Sequence, residues 1–224
     1  MPAVLPANER ERLAALRRYR LLDSKPEAAF DEVAQLAAMV CETPIALMSL
    51  VDEHRQWFKA RVGLDAIETP RNLAFCAHAI LGERTFTVED ATKDARFADN
   101  PLVTTDPNIR FYAGSPLVNK EGMALGTLCV IDRRPRKLSA YQMQALEVLG
   151  RQITSHMELR RTADELAAAL QKVQTLQALL PMCAWCKNVR DDAGKWHPVE
   201  QFLVKQTGSK TSHGICPACS TKHG

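Results

Sequence analysis

Four cysteines near the end of the chain, Cys183 and Cys186 in one CxxC and Cys216 and Cys219 in another, are the residues whose type and spacing speak most directly of chemistry. Two residues between thiolates let both sulfurs of a turn face one ion while the turn's amides donate to them, and two such turns complete a tetrahedral zinc shell. Four thiolates close that shell, which points to architecture or partner binding and away from hydrolysis. The 29-residue gap between the pairs holds a DDAGKW turn and room for a short helix over Val199 to Lys205. His197 and His213 could each replace a cysteine but are read as surface histidines or outer partners of the ligands. The tail has few core-forming side chains, so zinc binding, worth on the order of 10 kcal/mol, would dominate its folding. A redox dithiol is the alternative, and it lacks the βαβ setting of thioredoxin-like sites.

The element that must deliver this tail is a helix predicted from Leu138 to Leu180, more than forty residues with no internal proline. Ser139 is placed to cap it and Pro181 to stop it. Leu146, Leu149 and Ile153 have the spacing of a helix laid on a core. From Leu159 the period tightens: Leu159, Leu166, Val173 and Leu180 fall at one heptad position, with Ala163, Leu170 and Gln177 at the other. The expected organisation is an N-terminal amphipathic helix over 1–22, a sensor domain over 23–158, a coiled-coil extension over 159–180 and a zinc-binding tail over 181–224.

At 224 residues, 46% hydrophobic and 25% charged, the chain suits one medium domain plus a small one. No stretch approaches twenty apolar residues, and the opening MPAVLPANERERLAALRRYR is charged and amphipathic, so neither a membrane span nor a signal peptide is read. Seven cysteines, four of them in CxxC pairs, suit a reducing cytoplasm. The tail from Pro181 holds six Lys and Arg against three Asp and Glu, too mild an excess for a nucleic-acid surface.

Taken in order, Leu13, Leu16, Tyr19 and Leu22 give the first helix one apolar stripe, and Phe30, Val33, Leu36, Ala37 and Val40 give a second helix another. PIALMSLVD is apolar on both alternating faces, Ile45, Leu47 and Val51 against Ala46, Met48 and Leu50, as a covered strand is. RQWFKARVG sets Phe58, Ala60 and Val62 against Trp57, Lys59 and Arg61, a strand with a wetter face nearer an edge. Regular structure thins from Gly63 to Asn108, with helical turns at Phe75 to Leu81 and a short strand at Phe86 to Val88. FYAGSPLV and MALGTLCVID then form a hairpin, with Leu125, Cys129 and Ile131 expected opposite Ala124, Leu128 and Val130. The fold class is α+β: an antiparallel sheet with helices on one face and a long loop region on the other.

The stretches PIALMSLVDEHRQWFKARVG, FCAHAIL, DARFADNPLV and FYAGSPLVNKEGMALGTLCVID resemble, in order and spacing, GAF domains of bacterial signalling proteins over roughly Leu22 to Arg160. The resemblance implies a sheet of five or six strands backed by helices, a small-molecule pocket between sheet and loops, and parallel dimerisation through the terminal helices. The signature of cyclic-nucleotide-binding members is absent, as is the context of bilin-binding ones. The tail, with CAWCK, DDAGKW and SHGICPAC, resembles a short cysteine module that follows receiver, PAS or GAF domains in bacterial regulators. TSHMELRRT resembles a histidine-kinase phosphoacceptor segment, but its spacing differs and its proline is missing, so His156 is read as a core or seam residue.

From this topology, polar residues of the loop region are the candidate ligand-binding set: Cys76, His78, Asp90, Asp99, Asn100, Arg110 and Tyr112. The expected protein is a cytoplasmic, homodimeric sensor that binds a small molecule or redox signal. It couples that signal through the long helix to a structural-zinc tail that docks a signalling partner, and it is read as a regulator before an enzyme. Two alternatives stay open. Some GAF proteins reduce free methionine sulfoxide with pocket cysteines, for which Cys76 and Cys129 are the candidates, and the four tail cysteines could form a zinc-thiolate redox switch.

Overall fold

The computed structural model describes residues 2–177, 181–191 and 193–207. Leu180, His213, Cys216 and Cys219 lie outside the described residues. The chain divides into two compact units, Met1–Glu165 and Leu166–Gly224.

In the first unit, alternating apolar residues build a sheet of six strands: β1 (Ile45–Val51), β2 (Arg55–Val62), β3 (Glu68–Pro70), β4 (Phe86–Val88), β5 (Phe111–Val118) and β6 (Ala124–Asp132). Their order is β3-β2-β1-β6-β5-β4, and every pairing is antiparallel. The two strands apolar on both faces, β1 and β6, are central, as continuous apolar runs require. Helices α1 (Glu9–Arg18) and α2 (Ala28–Cys41) and the first half of α5 (Ala140–Gln177) contribute to one core, where Leu13, Leu16, Phe30, Ala34, Leu146 and Ile153 join Ala46, Met48 and Leu50 of β1. The opposite face of the sheet is covered by α3 (Phe75–Ala79), α4 (Pro101–Thr104) and the loops around them, with Phe75, Ala91, Phe97, Val103 and Ile109 on Ile45, Leu47 and Val51.

Ser139 and Gln142 open α5 as a capping box: the Gln142 amide donates to Ser139 Oγ (3.2 Å) and the Ser139 amide to Gln142 Oε1 (3.0 Å). His156, half-buried, packs edge-on against Phe30 with ring centroids 5.0 Å apart. Glu9 ties α1 down by accepting from Arg12 at 2.8 Å and from Arg71.

Three expected faces are corrected. In β2 the pairing skips Lys59, so that Met48 faces Ala60 and Ser49 faces Phe58. This one-residue bulge moves Ala60 and Val62 to the helix side with Trp57 and leaves Phe58 on the loop side. β2 is also not an edge, since β3 covers it, and Lys59 is buried. Its ammonium donates to Ser24 Oγ (2.7 Å), the Lys25 carbonyl (2.5 Å) and Glu27 Oε1 (2.7 Å). A second irregularity lies between β5 and β6, where Pro116 pairs with Thr127 but Val118 pairs with Ala124. The extra residue in β6 puts Leu125 on the helix side with Leu128 and Val130, and Ala124 against the loop-side core. In α2 the buried stripe is Phe30, Ala34, Ala37, Ala38 and Cys41, while Leu36 is exposed, because the small alanines let the helix lie close to the sheet.

In the second unit, Met182 bridges to Val189, β7 (Val189–Arg190) pairs with β8 (Trp196–His197), and α6 (Val199–Thr207) follows. Among the described residues no helix is long and apolar enough to cross a membrane.

Candidate functional site

The loop-side face of the sheet buries two thiols, a phenol and a hydroxyl together. Thr127 and Cys129 are two apart on β6 and so point to the same face, and Tyr112 on β5 reaches across from the neighbouring strand. The short helix α3 brings Cys76 down onto them. Tyr112 Oη donates to Cys76 Sγ (3.2 Å) and Thr127 Oγ1 donates to the same sulfur (3.0 Å). The Cys129 thiol lies 3.9 Å from Cys76, sulfur to sulfur. All four side chains are buried.

A close approach makes this arrangement fit. Gly114, opposite Cys129 on β5, carries no side chain, and a Cβ there would sit 2.2 Å from the Tyr112 oxygen. The glycine therefore reserves the space into which the phenol turns. An aromatic wall encloses the cluster: Phe75 stacks on Phe97 with centroids 3.9 Å apart and lies 5.3 Å from the Tyr112 ring.

The electrostatics within the cluster are asymmetric. Burial pushes the Cys76 thiol up, but hydrogen bonds from Cys129, Thr127 and Tyr112 outweigh it and bring the thiol below its ordinary value. Burial, together with the neighbouring Cys76, pushes the Cys129 thiol and the Tyr112 phenol well up. One sulfur is thus prepared to carry charge beside two groups that stay protonated.

Of the seven residues read as ligand-binding, the fold brings Cys76 and Tyr112 into contact and sets His78 at the edge of the aromatic wall, 4.8 Å from the Phe97 ring. Three of the others bond to nearby backbone or loop side chains. Asp90 Oδ1 accepts from the Thr92 amide (3.1 Å) and hydroxyl (2.7 Å), and Asn100 caps α4 at the Leu102 amide (2.9 Å) while donating to the Leu73 carbonyl (2.9 Å). Arg110 Nη1 donates to the Val103 (2.7 Å) and Ile109 (3.1 Å) carbonyls, and Asp99 is exposed. Thr127 is the member that sequence reasoning missed; its signal was its position two residues before Cys129 in a central strand.

In the tail, Cys183 and Cys186 flank a tight turn in which the Cys183 amide donates to the Asn188 carbonyl (2.7 Å) and the Lys187 amide to the Cys183 carbonyl (3.0 Å). Lys187 takes up the left-handed conformation, φ 59°. Amides of Cys186 and Trp185 point at the Cys183 sulfur and lower its pKa. Such a turn fits half of a zinc-thiolate site, and among the described residues no group of three or more His, Cys, Asp or Glu could hold a metal.

The family model for the GAF domain matches residues 25–157. A cyclic di-GMP phosphodiesterase of Pseudomonas aeruginosa is 45% identical over 160 residues, 71% of this chain and 27% of that protein, so the chain spans about a quarter of its relative. The solved GAF domain of a phosphoenolpyruvate-protein phosphotransferase from Coxiella burnetii superposes with a TM-score of 0.53 at 14% identity, covering 71% of this chain and 99% of that one. The PixJ GAF domain of Thermosynechococcus elongatus, in its blue-light absorbing form, gives 0.53 at 14% identity, covering 70% and 96%. At such identities the two structures establish a shared fold and nothing about ligands.

Proposed function

This chain belongs to the GAF domain family, and on that premise we propose that it is a cytoplasmic sensory and regulatory module. A small molecule or redox signal acts at the loop-side face, α5 pairs with that of a second copy, and a zinc-stabilised tail docks a signalling protein. The observation that carries the reading is the change of character along α5. Leu146, Ile153 and Met157 are buried, whereas Leu159, Leu166 and Leu170 are 67%, 60% and 55% exposed. A heptad-spaced apolar stripe at that exposure gains by burial against an identical stripe, about 25 cal/mol for each Å² covered.

Cys183 and Cys186 would hold zinc together with Cys216 and Cys219, and the metal would supply folding free energy to a unit with little core of its own. Trp185, 95% exposed within the first CxxC turn, gives the docking surface an aromatic anchor. The identity shared with a cyclic di-GMP phosphodiesterase supports a regulatory setting. That relative's catalysis is not part of the reading.

Sedimentation equilibrium with metal analysis tests the proposal. The expected result is a dimer with one zinc per chain, and a Leu166→Glu, Leu170→Glu double variant that is monomeric and still folded. A wild-type monomer at micromolar concentration removes the coupling, and a metal-free tail with an ordered far-UV spectrum removes the zinc.

A further inference from the structure

A cysteine that only fills space needs no hydrogen-bond donors, and Cys41 shows that case within the same unit. It is fully buried, its sulfur's hydrogen-bond partner among the described residues is the Gln142 carbonyl at 4.0 Å, and burial, against the opposing charge of Arg136, pushes its thiol up to about 11. Cys76 is equally inaccessible, yet two hydroxyls are spent on its sulfur and a second thiol stands 3.9 Å away. Donors aimed at a sulfur stabilise the thiolate, the form that attacks peroxides and disulfides.

The two cysteines also differ in how the backbone holds them. Cys129 sits in a central strand, paired to Leu47 on one side and Gly114 on the other. Cys76 rides on a five-residue helix whose N-cap residue, Ala74, makes no side-chain capping bond. A disulfide needs its sulfurs about 2.05 Å apart. The remaining approach of roughly 2 Å therefore falls to α3.

We propose that Cys76 and Cys129 form a hydroperoxide-sensitive dithiol, with Cys76 as the attacking sulfur and Cys129 as the resolving one. The Cys76 thiolate attacks the terminal peroxide oxygen, so that an S–O bond forms and the O–O bond breaks. The leaving oxygen takes up the proton that Cys76 released and departs as water from hydrogen peroxide. Cys129 Sγ then attacks the sulfenic sulfur, the S–S bond forms, the S–O bond breaks, and hydroxide leaves with the Cys129 proton as a second water. Two thiols are oxidised by two electrons and one peroxide is reduced. A low-molecular-weight dithiol resets the pair by exchange.

Oxidation removes the thiolate that accepts from Tyr112 and Thr127 and draws α3 toward the sheet. Phe75, on that helix and stacked on Phe97, must follow. The loop-side wall is thereby re-formed in the oxidised state. The inference rests on the sensor reading only for what receives the signal, because the chemistry is complete within Cys76 and Cys129.

The test exposes the reduced full-length protein to hydrogen peroxide, quenches with an alkylating reagent under denaturing conditions, and reads each cysteine by peptide mass spectrometry. The expected product is a Cys76–Cys129 disulfide, reversed by dithiothreitol and formed at least about tenfold faster than any oxidation of Cys41. In Cys129→Ser the sulfenic acid at Cys76 should persist and be trapped by dimedone. The proposal is overturned if Cys76 and Cys129 are recovered as free thiols after Cys183 or Cys41 has reacted. It is equally overturned if wild-type Cys76 passes to sulfinic acid without pairing. Peptide masses report this chemistry and sedimentation reports dimerisation, so failure of one reading is distinguishable from failure of the other.

Discussion

The two faces of the central sheet are built from the same strands and solve different problems. On the helix side, aliphatic residues of α1, α2 and α5 meet Ala46, Met48 and Leu50, and the buried charges of Arg12 and Lys59 are answered by Glu9 and Glu27. On the loop side, short elements carry aromatic rings and a buried cluster of two thiols, a phenol and a hydroxyl. Helices of ten residues and more bring the apolar area of that side, and its buried charges are paired. The loop side has only the short helices α3 and α4, so it depends on stacked rings and on polar groups that satisfy one another.

The comparison breaks first if the loop side is loosely packed. Phe30→Ala on the helix side and Phe97→Ala on the loop side remove rings that are almost wholly buried. Each should cost about 3–5 kcal/mol in urea unfolding. A cost below about 1 kcal/mol for Phe97→Ala would show that the ring wall adds no stability. A finer test uses one glycine on each face. Gly114→Ala places a methyl 2.2 Å from the Tyr112 oxygen, so the phenol must leave Cys76, whereas Gly150→Ala meets the Ser115 side chain, its hydroxyl at 2.9 Å and its Cβ at 3.3 Å, with Leu117 at 3.9 Å. The first should cost about 1–3 kcal/mol and raise the thiol titration of Cys76, and the second should cost less than the first without touching that titration.

The smallest contrast is in pH dependence. Burial raises the Glu9 carboxyl, but hydrogen bonds from Arg12 and Arg71 outweigh it and hold it at about 2 against an ordinary 4.5. A depressed folded-state pKa contributes stability that is complete above 4.5 and is lost as pH falls toward 2. Glu9→Gln should therefore flatten the decline of the urea midpoint across that window. Thr127→Val, on the thiol cluster, should leave the decline unchanged, since thiols and phenols are protonated throughout it.

Much of this fold was legible in the sequence. The alternation in β1 named both faces of a covered strand, the SAYQ stretch marked the start of α5, and the hairpin strands β5 and β6 pair as read. What was illegible were the bulges at Lys59 and ahead of Thr127, because an inserted residue shifts the phase of a strand without altering its composition. The thiol cluster was half legible: Thr127 and Cys129 share a face by spacing, but only the tertiary path of α3 brings Cys76 to them. Asp90, Asn100 and Arg110 looked like ligand contacts because they are polar and lie in loops. In the fold each also bonds to nearby backbone, a demand on polar side chains where ladders are missing.

Lys59 joins two of these themes. As the extra residue of β2 it works like an inserted letter in a reading frame, and every side chain after it, Ala60 and Val62 included, is translated onto the other face. Its ammonium meanwhile pins the segment of Ser24, Lys25 and Glu27 that leads into α2. Excising that one residue would restore strict alternation with Phe58 still on the loop side and Ala60 still on the helix side, and would unfasten only the helix entry. Deletion at this position therefore costs the ammonium contacts and not the faces of the strand, and a substitution that removes the charge should cost much the same.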